Sequence, residues 1–391
     1  MTHDIGALRA QIREFIDNRV IPVERTIDEG GEDAYHALQS LKAEAKAAGI
    51  WALGHPKNLG GGGLSLYEFA LLNEIIGRSE YGQQAVGSVT MQDAIMLDQH
   101  GTDEQKKQWL LPMVAGDIYP SVAMTEPEVA GSDPTRIQTT AHLDGDHWVI
   151  NGHKWFTTGA RGSAFTTVFA VTDPDASSPH RRISAIVVPR DTPGLEIVRA
   201  IKTMGSDAGD HCEIRLTDVR VPADHVLGER GGGFAVFQNR VGPGRIFHAM
   251  RWLGQAQRAL ELMVDRAETR EVHGSLLSEK GEIRRYIAES TAEIQAARLL
   301  TLDAARRYDE DGRAGLEISL VKFWGARMLH NVIDRAIQVH GALGVTEDTP
   351  LENMYRHARY ARIYDGPDEV HRMVVARSVL KGQTPWDRAQ S

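Results

Sequence analysis

Cysteine and long apolar stretches are scarce in this 391-residue sequence, and each scarcity excludes a class of protein. The single cysteine, Cys212, cannot form an internal disulfide, which argues against a disulfide-stapled secreted framework and favours a reducing compartment. No apolar run approaches the roughly 18 residues that a membrane-spanning helix needs. A surplus of positive charge is also lacking, since the formal net charge is -9, which argues against broad nucleic-acid binding.

The first residues lack the features of a targeting segment. Residues 1–15 carry acidic side chains among the basic ones and have no apolar core before a small-residue cleavage site. They therefore predict a first amphipathic helix and not a signal peptide, and we expect a cytoplasmic protein without membrane insertion. We expect no metal site, because the 16 histidines show no paired spacing with cysteine or carboxylates.

What is present is the composition of a globular protein, with 42% hydrophobic and 25% charged residues. A chain of 391 residues is long enough for two or three packed subdomains. The period of the apolar residues changes twice along it, which predicts an α+β multidomain fold. We expect a helical N-terminal domain over residues 1–116, a β middle domain over 117–228 and a helical C-terminal domain over 229–391.

Local signals support this division. Thr102 and Gln105 have the spacing of a capping box at the start of a helix. In the middle segment apolar and polar residues alternate around a turn at residues 144–146, and no helical pattern separates the strands, which favours a small β-barrel or sandwich over βαβ units. Long helical patterns in the last segment, one of which ends at Gly341, predict a four-helix bundle.

One polar loop stands out at residues 122–133. Its Thr, Ser, Asp, Gly and Pro residues supply backbone amides and hydroxyls of the kind that hold a polar heterocycle or a phosphate. By itself the segment would favour an ordinary surface loop over a binding loop. Other motifs elsewhere in the sequence decide between the two interpretations.

The order of motifs resembles that of the acyl-CoA dehydrogenase family over nearly the whole chain. Residues 124–133 resemble the family's flavin-binding signature, with one extra residue before Gly131, and residues 151–159 resemble its second flavin segment. The helix from Arg245 and the segments 338–344 and 363–366 resemble its C-terminal signatures. The residues of these motifs are most similar to those of one branch of the family, in which some eukaryotic members also carry an aminoglycoside-phosphotransferase-like domain.

This resemblance implies the same helical, β and four-helix-bundle order, with FAD bound in an extended pose and no Rossmann domain. By position, the flavin or its diphosphate would contact Met124, Thr125, Gly131, Ser132, Phe156 and Thr158. Phe156 stands where many relatives have tryptophan, and either aromatic offers a flat apolar wall to the flavin. The alternative for Phe156 is a core aromatic on a strand.

The resemblance also implies a homo-oligomer, either a dimer or a homotetramer, in which each chain completes its neighbour's FAD site. The residues aligned with that role are Arg270, His273, Gln338, Gly341 and Ala342. Arg270 suits a diphosphate because a guanidinium donates two parallel hydrogen bonds. His273 stands where relatives often have phenylalanine, and Ala342 where they often have glycine. Solvated helix residues are the alternative interpretation of Arg270 and Gln338.

Removing the weakly acidic α-proton of a thioester requires a positioned base and stabilisation of the enolate that develops. The family supplies the base from one of two positions, which are Gly244 and Asp365 in this sequence. Glycine cannot serve, so Asp365 is the predicted catalytic residue, although capping of the following helix is its alternative role. Its side chain is about 1.5 Å shorter than the glutamate of most relatives. Ser132, Arg245 and Gly366 are the predicted substrate-binding residues.

The function implied is α,β-dehydrogenation of an acyl-CoA thioester to a trans-2-enoyl-CoA, as in the β-oxidation of fatty acids. Electron-transfer flavoprotein would take the electrons from FAD. An acyl-CoA oxidase, a nitroalkane oxidase or a flavin monooxygenase on the same fold are alternatives of the same class. A non-catalytic partner subunit is an alternative of another class.

Overall fold

The structure, a computed structural model, describes residues 4–204 and 210–385, and the chain divides into two compact units. The first unit, called the helical unit here, contains residues up to Gly54, Gly63–Ser88 and the chain from Gly242 onward. The second, called the β unit, contains His55–Gly62 and Val89–Val241. The predicted order of helices, strands and helices is confirmed. The boundaries predicted at 116 and 228 stay predictions.

Helices are the main secondary structure of the chain. In order they are α1 (Ile5–Phe15), α2 (Glu24–Glu29), α3 (Gly31–Ala47), α4 (Leu66–Ile76), α5 (Gly82–Ala85), α6 (Met91–His100), α7 (Asp103–Gln105), α8 (Leu111–Ala115), α9 (Gly233–Thr269), α10 (Gly281–Asp311), α11 (Gly315–His340), α12 (Leu351–Ala361) and α13 (Asp368–Leu380). Within the parts of the chain that the structure covers, no helix is both long and apolar enough to cross a bilayer.

The strands of the β unit are β1 (Pro120–Ala123), β2 (Thr140–Asp144), β3 (His147–Thr158), β4 (Phe165–Val171), β5 (Ile183–Pro189), β6 (Leu195–Ala200), β7 (His211–Pro222) and β8 (Val226–Leu227). They form one eight-stranded sheet in the order β6-β7-β3-β2-β4-β5-β8, with β1 parallel to β4. Neighbouring pairs are antiparallel except β1 with β4 and β2 with β4. The alternation of side chains buries Val168, Ile186, Cys212 and Ile214 on one apolar cluster.

The helical unit is organised around α9, α10 and α11. Buried residues from α9 and α11, such as Ala256, Met263 and Val332, form one core with residues of α12. The residues from Gly242 onward in α9 also cross α4 closely. An added Cβ at Gly254 would overlap the backbone carbonyl of Glu74, so the absence of a side chain allows this approach. This crossing fixes the position of α9, the helix that carries Arg245.

Three local predictions are confirmed. Thr102 and Gln105 form a complete capping box at the start of α7. Residues 144–146 connect β2 to β3, which pair in an antiparallel hairpin. Gly341 ends α11 with a φ of +65°, a backbone conformation that glycine adopts without strain.

Candidate active site

Asp365 lies in the short connection between α12 and α13 of the helical unit, with a φ of +52°. Residues with a Cβ are uncommon in this left-handed region, although aspartate enters it more often than most. Such a conformation persists where the surroundings hold it, and it is common at functional sites. The contacts around Asp365 show how its backbone is held.

Two side chains, one half-buried and one buried, donate to the backbone carbonyl of Asp365. Nε of Arg245, on α9, lies 2.8 Å from this oxygen, and Nε2 of His371, on α13, lies 3.1 Å from it. Burial, with a further contribution from Arg245, lowers the pKa of His371 to about 4. His371 is therefore neutral at pH 7, and its Nε2 must carry the hydrogen that faces the carbonyl.

Lys322, which is completely buried on α11, holds the two sides of the same connection together. Its ammonium group donates to the carbonyl oxygens of Ala361, at 2.9 Å, and Gly366, at 3.2 Å. It also lies 5.4 Å from the ring centre of Trp252 and 5.2 Å from that of Tyr364, within the range of cation–π attraction. Burial lowers the pKa of Lys322 to about 8, so the group still carries its charge at neutral pH.

The carboxylate of Asp365 faces His248, which lies on α9 one helical turn after Arg245. The distance from His248 Nε2 to Asp365 Oδ2 is 3.0 Å, and the Asp365 side chain is 22% exposed. Arg251, one further turn along α9, contacts Nδ1 of His248 through its guanidinium group. Burial, followed by the charge of Arg251, lowers the pKa of His248 to about 4. A carboxylate is thus placed beside a neutral imidazole, and it interacts electrostatically with the cations of Arg245 and Lys322.

The structure brings the predicted residues Asp365, Arg245 and Gly366 together and adds partners that the sequence did not identify. The unpredicted residues are His248, Arg251, Lys322 and His371. A signal was available for two of them, because Arg245, His248 and Arg251 are spaced by three residues and so share one face of a helix. Lys322 and His371 carried no comparable signal.

A second group of predicted residues lies in the β unit, along the loop after β1. Thr125 and Trp155 exchange hydrogen bonds, from Oγ1 of Thr125 to the carbonyl of Trp155 at 2.9 Å and from the amide of Trp155 to the carbonyl of Thr125 at 3.1 Å. Met124 is buried, and its carbonyl accepts a hydrogen bond from Lys154. These contacts attach the loop to β3. Gly131 and Ser132 lie farther along it and are exposed.

Phe156 presents its ring to solvent from an irregular position of β3. Its φ is +51°, at a register shift between Lys154 and Thr157, and the residue is 44% exposed. The next exposed residue of the strand, Thr158, has its Oγ1 2.9 Å from Nδ1 of His211. The rings of Phe156 and His211 lie 5.6 Å apart.

The C-terminal end of β3, together with the attached loop, fits a flavin. It combines an exposed flat aromatic ring, the hydroxyl of Thr158 and, on the attached loop, the exposed hydroxyl of Ser132. A flat apolar wall and a few placed polar groups are what a bound heterocycle requires. The core-aromatic alternative for Phe156 is wrong, because its ring is exposed.

The residues predicted to complete a neighbour's site lie on the surface of the helical unit. Arg270 follows α9 directly, and His273, with a φ of +48°, lies in the turn between the two-residue strands β9 (Glu271–Val272) and β10 (Ser275–Leu276). Gln338 is in the last turn of α11, and Gly341 and Ala342 follow it. Every one of these five residues is exposed.

Sequence comparison gives matches along the whole chain. Residues 2–117, 121–219 and 231–380 match the family models of the acyl-CoA dehydrogenase N-terminal, middle and C-terminal domains. A Mycobacterium tuberculosis protein named "Probable acyl-CoA dehydrogenase FadE2" is 42% identical over 95% of this chain and 94% of its own length. Mouse acyl-CoA dehydrogenase family member 10 is 39% identical over 97% of this chain, which spans only 37% of that protein.

Solved structures have the same fold. A Mycobacterium abscessus structure is 40% identical and has a TM-score of 0.92, covering 98% of this chain and 99% of that one. Butyryl-CoA dehydrogenase from Megasphaera elsdenii is 27% identical with a TM-score of 0.86, covering 97% of this chain and 99% of that one. Similarity therefore extends over every part of the chain that carries a predicted site residue.

Proposed function

This chain belongs to the acyl-CoA dehydrogenase family, and on that premise we propose that it desaturates an acyl-CoA thioester between the α and β carbons, with Asp365 as the base. The observation that carries the proposal is the carboxylate of Asp365, which is held at a backbone position of positive φ beside His248 and close to the cations of Arg245 and Lys322. A residue that only capped α13 would not need this surrounding. The cap position of α13 belongs to Pro367.

Asp365 would take the proton from the α-carbon: the C–H bond breaks, an O–H bond forms at the carboxylate, and the electron pair stays with the substrate. Arg245 and Lys322 keep positive charge near this position, which favours the ionised carboxylate before the transfer and the enolate that develops during it. The bonds of Arg245 and His371 to the Asp365 carbonyl keep the short side chain in place while the proton moves.

The family is one of FAD-binding enzymes, and FAD, when bound, supplies the acceptor for the hydride that leaves the β-carbon. In this chain Phe156 would support the flavin ring, and Thr158 and Ser132 would offer hydroxyls to it. Backbone amides near Gly131 would face the diphosphate. Arg270, His273, Gln338, Gly341 and Ala342 would reach the FAD of a second copy, which gives the enzyme a reason to be a homo-oligomer.

The product would be a trans-2-enoyl-CoA, and Ser132, Arg245 and Gly366 would contact the thioester. We propose electron-transfer flavoprotein as the electron acceptor. This choice is supported by a solved structure described as the electron transferring flavoprotein of Acidaminococcus fermentans. It contains a chain that is 28% identical to this one, and the match covers 97% of this chain and 99% of that one. A role in fatty-acid β-oxidation in the cytoplasm would follow from this chemistry.

Asp365→Asn tests the proposal, because the amide keeps the size of the side chain and removes the proton acceptor. The variant should bind FAD and acyl-CoA, while flavin reduction in anaerobic rapid mixing slows by at least about 10²-fold. Asp365→Glu should retain more activity than Asp365→Asn. Gly244→Glu added to Asp365→Asn places a carboxylate at the family's other base position and should recover part of the rate. Near-normal flavin reduction by Asp365→Asn would show that the base lies elsewhere.

A further inference from the structure

His248 contacts both the carboxylate of Asp365 and the guanidinium group of Arg251. On one side of the imidazole ring, Nε2 lies 3.0 Å from Oδ2 of Asp365. On the other side, Nδ1 faces the guanidinium group of Arg251. The His248 ring is mostly buried, and it stacks on the ring of Trp252 with a centroid distance of 6.1 Å. The ring therefore has a defined partner at each nitrogen and along one face.

The two partners determine where the imidazole carries its hydrogen. A guanidinium group is a donor only, so the Nδ1 atom that faces Arg251 must accept a hydrogen bond and cannot carry a hydrogen. In a neutral imidazole the hydrogen is then on Nε2, which points at Oδ2 of Asp365. Burial and the charge of Arg251, which together lower the pKa of His248 to about 4, act against a second hydrogen on the ring.

We propose that His248 is a positioning residue for the reaction: Arg251 selects its neutral Nε2–H form, which donates to Oδ2 of Asp365 and directs the substrate proton to the other carboxylate oxygen. The inference deepens the proposed function, because it rests on Asp365 as the base. The imidazole does not take up the proton itself. It stabilises the ionised carboxylate before the transfer and keeps its donor on the same oxygen afterwards.

The charged groups around this contact come from several elements. Arg245 and Arg251 lie on α9, Lys322 on α11, and Glu80, which precedes α5, interacts with Arg251. None of the three cations can accept a hydrogen bond, so none replaces the acceptor that Nδ1 of His248 offers to Arg251. The proposal thus assigns to His248 a neutral donor to Asp365 whose other nitrogen accepts from a cation.

The protonation form can be measured without turnover. The holoenzyme is prepared with ¹⁵N-labelled histidine, and the NMR signals of His248 are assigned by their loss in His248→Gln. They should be those of a neutral imidazole with its hydrogen on Nε2, and they should not titrate between pH 6 and 8. Arg251→Met removes the donor at Nδ1 and its positive charge, so the same signals should begin to titrate in that range. A wild-type His248 that carries its hydrogen on Nδ1, or that titrates near pH 6.5, would overturn the assignment.

The effect on the reaction is tested by anaerobic flavin reduction over a range of pH. His248→Phe should keep FAD bound and slow reduction roughly 10-fold or more at neutral pH, with the acid limb of the rate profile moved to higher pH. His248→Gln, which retains an N–H donor, should recover part of the rate. His36→Gln, an exposed histidine of α3, is the matched control and should behave as wild type.

The failure of this inference differs from the failure of the proposed function. If Asp365→Asn is inactive while His248→Phe keeps the wild-type rate and profile, His248 does not position the base. If Asp365→Asn reduces its flavin normally, the proposed base is wrong whatever His248 does. A His248→Phe profile that is lowered equally at every pH, without rescue by His248→Gln, would point to general loss of packing and would also overturn the inference.

Discussion

The ammonium group of Lys154 lies 2.8 Å from a carboxylate oxygen of Glu126, and both side chains are buried from solvent. The pair joins β3, which carries Phe156, to the loop after β1, which carries Ser132. Glu126 also accepts the amides of Gln138, at 2.6 Å, and Thr139, at 2.9 Å. The ion pair therefore links the two segments, β3 and the loop after β1, that carry the proposed flavin-binding residues.

Both partners are charged at neutral pH. Burial lowers the pKa of Lys154 to about 8, although Glu126 acts to raise it. Burial alone would raise the pKa of Glu126, but Lys154 and the amide of Thr139 bring it below its ordinary value. Removal of one partner leaves the other as an unpaired buried charge, which costs more than the pair itself contributes.

Lys154→Met should therefore lower the free energy of unfolding of the protein by about 3–5 kcal/mol. Urea unfolding of the holoenzyme, followed by flavin and tryptophan fluorescence, measures the loss. Adding Glu126→Gln to Lys154→Met removes the isolated charge and should recover part of the stability. Lys107→Met, at an exposed lysine of the same unit, is the control and should change the midpoint little. Equal midpoints for the Lys154 and Lys107 variants would contradict the role of the pair.

His153 gives the same loop a dependence on pH. Its Nδ1 lies 2.6 Å from Glu128, on the loop, and its Nε2 lies 2.9 Å from Glu213, on β7. Both nitrogens face carboxylates, so the ring donates twice and is protonated in this arrangement. Burial works against the charge, but Glu128 and Glu213 outweigh it and raise the pKa of His153 above its ordinary value.

A raised pKa in the folded state stabilises the fold fully below the unfolded-state pKa of about 6.5, and the contribution is lost as pH rises through the folded-state pKa. His153→Gln should therefore lower the melting temperature most at pH 6 and least at pH 9. Melting of the two proteins across this range, with His142→Gln on the exposed face of β2 as control, measures the difference. If the difference in melting temperature grew with pH, it would contradict the stabilisation by protonated His153.

Features that depend on neighbouring residues could be predicted from the sequence. Thr102 and Gln105 needed only their own spacing to predict the capping box, and Gly341 needed only its place after an apolar helical pattern. Asp365 was identified by a motif, since the residues around it resemble a signature. Such predictions depend on local backbone chemistry or on a short string of residues.

Features that depend on distant residues could not be predicted. His248 meets Asp365 across 117 residues of sequence, and Lys322 reaches Ala361 across 39. These contacts depend on how α9, α11 and the α12–α13 connection pack, which a single sequence does not specify. The positive φ of Phe156 also arises from the packed structure, because a bulky aromatic residue rarely adopts that region. The site was thus predicted as a list of residues, and its electrostatics came from the fold.

The surface position of Arg270 leads to a prediction about assembly. If it contacts the FAD diphosphate of a second copy, Arg270→Ala should weaken FAD retention while the oligomer persists. Loss of charge-assisted hydrogen bonds worth about 1.5–3 kcal/mol corresponds to roughly 10- to 100-fold weaker binding. Titration of the apoprotein with FAD, together with its mass by light scattering, separates the two effects. Arg313→Ala, at another exposed arginine of the helical unit, should bind FAD as wild type does. A stable monomer that retains FAD as tightly as the oligomer would contradict the shared site.

Gly366 offers a test of how closely the base must be held. Its φ is +98°, and an added Cβ would lie 2.8 Å from Nε2 of His371, the atom that donates to the carbonyl of Asp365. Gly366→Ala therefore adds backbone strain and also pushes on one of the two side chains that hold the Asp365 backbone. Gly312, at the end of α10, is a matched position: its φ is +66°, and an added Cβ meets nothing within 4 Å.

The two alanine variants should separate strain from displacement of the base. Both introduce a Cβ at positive φ and should lose roughly 1–2 kcal/mol of stability, and Gly366→Ala should lose more because His371 must also shift. Only Gly366→Ala should slow flavin reduction, by roughly 10- to 100-fold, because a small displacement of a positioned group has a large effect on rate. Melting temperatures and rapid-mixing reduction with saturating acyl-CoA measure both quantities on the same preparations. If the two variants reduce flavin equally fast, the contact between His371 and Asp365 does not position the base, and the strained turn has only a structural role.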